Sequence, residues 1–338
     1  MQWLNIFVAR RVSKWSVASF MLFCGMSWSF AEPVEPFPDS YRAARDAGWA
    51  EAVIRVEDPT SIIAFSEQVG GWRVRHPAVS QWWITDETQG VGALRVLKAP
   101  SEQARGAPPD EPWTAGGLFS VMTRSNDAQR AYRAALDLGW SAVAPPVSLN
   151  FSGLSLVNVI LRSPDHIYVS VYERLSPRLA DAADLDQLRR PFNSMQVVQD
   201  LQRARRFYEQ TLGFTVIAAG RFQLPADSPS NFGIPQGLAG SVPLDYLIVG
   251  PSATGPTQIE VVSFLGLSQG VSRELKHLQF GLIALRFPVS SLQSVQAKLT
   301  AAHYPYQCDT VSMPPFGTVE RLTVHSPEGA RLEFFEVP

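Results

Sequence analysis

Short stretches of alternating apolar and polar residues recur along the chain, and an amphipathic run with helical spacing follows the first stretch of each group. Val53–Asp58 reads as a strand, and the run ending at Phe65–Trp72 reads as a helix that stops at Gly71. The same pattern returns 142 residues later, at Met195–Asp200 and Phe207–Phe214. Asp58 then aligns with Asp200, Phe65 with Phe207, Glu67 with Glu209, Gly71 with Gly213 and Trp72 with Phe214. The aspartates can accept the free N–H groups of a first helical turn. The glycines can take the left-handed conformation that ends a helix.

A second pair interleaves with the first. Gly117–Thr123 matches Gly281–Phe287 at an offset of 164, and each precedes a helical run, Ala128–Leu138 and Leu292–Ala302. The endings Ser163–Glu173 and Ser326–Glu336 match at an offset of 163, each a tight turn followed by an alternating strand. The chain is therefore an internal repeat of four strand–helix–strands units, at about 48–100, 113–175, 191–265 and 279–338. The polar, proline-rich 101–112 and the charged 176–190 are connectors. One such unit cannot cover its own sheet, so the units must pair. The expected fold class is α+β, with two curved sheets carrying helices outside and an open cup inside. Pairing in chain order gives an N-terminal domain over 48–175, a linker over 176–190 and a C-terminal domain over 191–338.

The residues Asn193–Asp200, Phe207-Tyr208, Leu212-Gly213-Phe214 and Ser326–Gly329 with Leu332-Glu333 resemble the vicinal oxygen chelate superfamily. That group includes glyoxalase I, bleomycin-resistance proteins, fosfomycin-resistance proteins and extradiol dioxygenases. The resemblance implies four βαβββ modules paired into two cups, with a divalent metal held by first- and last-strand residues of each module. Iron, manganese, nickel or zinc would suit oxygen and nitrogen ligands there, acting as a Lewis acid on a substrate with neighbouring oxygens.

On that pattern the N-terminal cup would hold Glu51, Leu118, Leu94 and Ser170, which is not a metal site. The C-terminal cup would hold Asn193, Leu282, Glu260 and Glu333. Asn193, Glu260 and Glu333 are the candidate metal ligands, and Leu282, Arg286 and Met195 the candidate substrate-pocket residues. Strand periodicity puts Arg286 on the same face as Leu282. With histidine absent from Asn193 and Leu282, tight metal binding is not expected; no residue is assigned a catalytic role. Gln196 is expected to face the helices as a buried, hydrogen-bonded side chain, the alternative being that a bulge turns it into the cup. Trp82-Trp83 puts one ring on each face of a strand, and the Gly/Pro-rich Leu224–Pro243 is a candidate lid.

Composition narrows the function. At 338 residues, with 46% hydrophobic and 18% charged residues, the chain can bury a large core. A net charge of −2 without a basic block argues against a nucleic-acid partner. Arg10, Arg11 and Lys14, the apolar 15–31 and the small-residue ending Ser29-Phe30-Ala31 read as an export leader, with an N-terminal membrane anchor as the alternative. Cleavage after Ala31 would take the charge from −2 to −5, remove Cys24 and leave Cys308 as the one thiol. The expectation is a secreted or periplasmic protein, off the membrane once the leader is removed, with a small-molecule ligand in the C-terminal cup. Three readings follow: a lyase- or dioxygenase-like enzyme with an atypical metal site, a metal-free sequestering protein of bleomycin-resistance type, or a structural protein with a vestigial cup.

Overall fold

A computed structural model describes residues 34–86, 91–99, 113–114, 116–151, 153–179, 187–267 and 280–337. The leader expected over 1–31, the 101–112 connector and the middle of the 176–190 linker lie outside them. A short helix α1 (Asp39–Ala44) leads into the first unit: β1 (Glu51–Val56), α2 (Thr60–Gln68), β2 (Arg73–Ala78), β3 (Gln81–Thr85) and β4 (Ala93–Lys98). The second unit is β5 (Leu118–Ser125), α3 (Ala128–Asp137), β6 (Ser141–Ala142), β7 (Val147–Phe151), β8 (Leu154–Arg162) and β9 (Tyr168–Ser176). The third is β10 (Asn193–Val197), α4 (Leu201–Arg205) running on as a π-helical turn over Arg206–Thr211, β11 (Thr215–Phe222), α5 (Gln236–Ala239), β12 (Leu244–Gly250) and β13 (Gln258–Phe264). The fourth is β14 (Gly281–Val289), α6 (Leu292–Ala301), β15 (Tyr306–Ser312), β16 (Thr318–His325) and β17 (Arg331–Glu336). The aspartate caps form as expected at α4, where Asp200 accepts the Arg203 N–H at 2.8 Å. At α2 Asp58 instead binds the Thr60 hydroxyl and N–H.

Among the described residues the strands form two sheets, and these correct the expected domain pairing. One sheet has the order β15-β16-β17-β14-β1-β4-β3-β2, joining the first unit to the fourth. The other has the order β11-β12-β13-β10-β5-β9-β8-β6, with β7 on β8, joining the second unit to the third. The cups are therefore not 48–175 and 191–338: the middle units pair across the 176–190 linker, and the outer units close around them. Charge gives a physical reason. Glu51 on β1 stands opposite Arg286 on β14, whereas Asn193 on β10 stands opposite Met122 on β5. Exchanging partners by the repeat would set Glu51 against Met122 and Arg286 against Asn193, losing the buried ion pair that joins the first unit to the fourth.

The helix-bearing faces of both sheets contribute to one apolar core, where Phe65 of α2 stacks on Trp140 with ring centroids 4.2 Å apart. Gln196 lies in this core, accepting from the Tyr208 hydroxyl at 2.7 Å and donating to Ser326 Oγ at 2.8 Å. It therefore faces the helices, and its bonds fasten the third unit to the fourth. Among the described residues no helix is long and apolar enough to cross a membrane.

Candidate functional site

The strand registers give each cup four converging positions. On β1, β14, β4 and β17 they are Glu51, Arg286, Arg95 and Glu333; on β10, β5, β13 and β9 the equivalents are Asn193, Met122, Glu260 and Ser170. The sequence expectation gathered Asn193, Glu260, Glu333, Leu282, Arg286 and Met195 in one cup. The structure places Asn193, Met195 and Glu260 in the cup of the middle units, and Arg286 and Glu333 in the cup of the outer units. Leu282 lies in neither. The β1–β14 register skips Ile283, so Leu282 pairs with Ile54 and joins the helix-side core. That bulge breaks the period of two that would have set Leu282 beside Arg286. β5 skips Phe119 in the same way against β10.

The outer cup is closed by charge and by rings. Arg286 donates from Nη1 to Glu51 at 2.9 Å and from Nε to Glu333 at 2.8 Å. Arg95 donates to Glu51 through Nε at 3.1 Å and also through Nη2. The Tyr41 hydroxyl donates to the same carboxylate at 2.5 Å. Glu333 takes further bonds from Arg321 at 2.9 Å and Arg331 at 2.6 Å. Burial alone would raise the Glu51 carboxyl, but Arg95 and Arg286 hold it down to about 2. Burial likewise opposes the charge on Glu333, and its three arginines keep the carboxyl below its ordinary range. Phe37, Tyr41, Trp83 and Phe316 pack over this cluster, with the Phe37 and Phe316 rings 4.7 Å apart. Trp83 is thus the ring of the Trp82-Trp83 pair that enters a cup.

The middle cup is built oppositely. Leu149, Phe151, Leu156, Tyr172, Phe222, Phe232 and Leu244 enclose a cavity of about 70 Å³, with Glu260 and Asn231 contributing the other polar groups. The 224–243 segment lies over this concave face: Phe232 and Ile234 are buried in its apolar cluster. Asn231 donates to Asn158 Oδ1 at 2.7 Å, and Asn158 donates in turn to Ser170 Oγ at 2.9 Å and Val171 O at 3.1 Å. Asn231 Oδ1 is buried without a hydrogen-bond partner. Glu260, half-buried at the cavity, has no ion-pair or hydrogen-bond partner among the described residues. Burial without a counter-charge lifts its carboxyl to about 7. The Tyr172 hydroxyl is pushed far above its ordinary range, first by burial and then by the neighbouring Glu260. Asn231, Tyr172 and Phe232 were not singled out in the sequence; the Gly/Pro-rich 224–243 insertion was the signal that pointed to two of them.

Neither donor set fits the divalent metal that the resemblance implies. In the outer cup both carboxylates are bonded to guanidiniums, which would repel a cation there. In the middle cup Glu260 stands beside Met195, and Asn193 Oδ1 is bonded to the Ser194 N–H at 2.9 Å. No group of three His, Cys, Asp or Glu side chains able to hold a metal occurs among the described residues.

The two-cup architecture is shared with known proteins. Glyoxalase I from Zea mays superposes with a TM-score of 0.58 at 13% identity, over 86% of this chain and 92% of that one. A candidate dioxygenase from Bacillus subtilis superposes with a TM-score of 0.53 at 11% identity, over 87% of this chain and 86% of that one. No family model matches the sequence, and no curated protein matches it significantly. The chain has the glyoxalase/bleomycin resistance/dioxygenase fold, that of the vicinal oxygen chelate superfamily. At these identities the likeness carries the fold alone, so the chemistry has to be read from the cups.

Proposed function

We propose that this protein binds a small molecule in the cup of its middle units, with the Glu260 carboxyl as the polar anchor. The observation that carries this reading is an uncompensated carboxyl at an apolar cavity, while the equivalent position of the other cup, Arg95, is tied into an ion cluster. A carboxyl half-buried at an apolar cavity without a partner costs stability that a ligand pairing with it would recover. The 224–243 segment is the lid of this site. The cavity is smaller than ordinary ligand pockets of about 300–1,000 Å³, so a larger ligand requires that segment to move. The test is a ligand screen by thermal shift on wild type and Glu260→Gln. Hits that lose their shift in the variant support the reading; hits indifferent to Glu260 and to filling the cavity by Leu156→Trp overturn it.

A carboxyl near neutrality beside a tyrosine also suits proton transfer, since an acid–base group works best with a pKa near the working pH. In that reading the site turns over a bound molecule, and Glu260→Gln abolishes turnover while leaving binding measurable. Export is part of the proposal: the leader ends at Ala31, and intact mass from an exporting host should show a chain beginning at Glu32. A full-length chain retained in the membrane fraction would replace export by anchoring.

A further inference from the structure

Beside the Tyr172 hydroxyl, the middle cup presents two acceptors that no donor satisfies. Asn231 is 4% exposed, its amide nitrogen is committed to Asn158, and its Oδ1 is left without a donor. Glu260 adds a second acceptor at the same cavity, and among the described residues no lysine or arginine lines it. Around these stand the rings of Phe151, Tyr172, Phe222 and Phe232. Phe151 meets Phe222 with centroids 5.5 Å apart and Tyr246 at 4.7 Å, so these three rings pack against one another. Aromatic faces attract cations, most strongly where water is excluded. An anion could take the Tyr172 hydroxyl as its one donor but would also meet the Glu260 carboxyl, an orphaned carbonyl oxygen and aromatic rings. A neutral alcohol would satisfy one acceptor and leave the charge of the ionised Glu260 unpaired, whereas a bound cation favours that ionised form.

We infer that the ligand of the middle cup is an organic cation with N–H donors, a protonated primary or secondary amine on an apolar body, whose ammonium sits between Glu260 and Asn231. This rests on the binding site proposed above and names the chemistry it selects. The cavity of about 70 Å³ takes the ammonium and the first few carbons; a longer body would pass beneath the 224–243 segment. The N–H donors matter because Asn231 Oδ1 needs a hydrogen bond and not only a nearby charge. A quaternary ammonium answers the rings and Glu260 but leaves that oxygen unsatisfied.

The test uses four probes of similar size on the purified protein, by calorimetric titration: propylamine as its ammonium, propanol, propionate and tetramethylammonium. Propylammonium is expected to bind at least tenfold more tightly than any of the others. Glu260→Gln should weaken it at least tenfold and leave propanol unchanged; Asn231→Leu should reduce its advantage over tetramethylammonium. Propanol or propionate binding as tightly as propylammonium, with both lost in the cavity-filling Leu156→Trp, would overturn the cation assignment and leave the cup as a binding site. Propylammonium binding that survives Glu260→Gln unchanged overturns it too. No binding by any of the four overturns this inference together with the reading beneath it.

Discussion

Glu51 and Arg286 stand directly opposite each other across the β1–β14 pair and are joined at 2.9 Å, although 235 residues separate them in the chain. The bond is buried, and it couples the first unit to the last. It also decides what the outer cup is: the same guanidinium reaches Glu333, so one arginine bonds both carboxylates that a metal would otherwise need.

Removing Glu51 should therefore be costly. Glu51→Gln leaves Arg95 and Arg286 buried without their shared counter-charge, and a loss of about 3–5 kcal/mol is expected in a denaturant titration. The ordinary carboxyl value is 4.5 and burial among arginines brings Glu51 to about 2. A depressed carboxyl stabilises the fold above its unfolded value, so this contribution should be lost as pH falls from about 4.5 toward 2. A variant with wild-type stability would mean that the cluster contributes nothing net.

Glu260 should give the opposite pH slope. Its folded value, about 7, lies above the ordinary 4.5, so the folded state holds the proton more tightly than the unfolded chain. Stability from this group is complete below about 4.5, declines as pH rises to about 7 and is level beyond, a span of about 3 kcal/mol at most. Glu260→Gln should remove the decline. Urea midpoints at pH 5 and pH 8, compared between wild type and variant, measure it; parallel slopes would show that the carboxyl titrates normally.

Gln196→Leu should cost about 1–3 kcal/mol. The substitution takes from the Tyr208 hydroxyl its acceptor and from Ser326 its donor, in a region closed to water. Thermal unfolding measures the loss, and the isosteric Gln196→Glu, which keeps the volume, should also destabilise because it buries a charge.

Metal content offers a further check. Neither cup supplies a fitting donor set, so the purified protein should carry well under one equivalent of iron, manganese, nickel or zinc by elemental analysis. One equivalent that disappears in Glu260→Ala or Glu333→Ala would restore a metal-dependent reading.

The sequence by itself determined the four repeated units, their strand and helix order, the capping aspartate at Asp200, the burial of Gln196 and the α+β class. These follow from local periodicity and from turn residues, which act over a few positions. It also supplied Glu260, Asn193 and Met195 as residues of one cup. Only the tertiary structure decided which unit pairs with which, because any unit's first strand can offer the same backbone edge to any other. That choice rests on contacts such as Glu51 with Arg286, which no local pattern announces. The bulges at Ile283 and Phe119 were equally hidden: one extra residue reverses which face the side chains before it occupy, and this moved Leu282 out of the cup. Whether a carboxylate is paired is likewise a property of three dimensions. Glu333 and Glu260 look alike in sequence, each a glutamate on a unit's last strand, yet one is neutralised by three arginines and the other faces an apolar cavity alone.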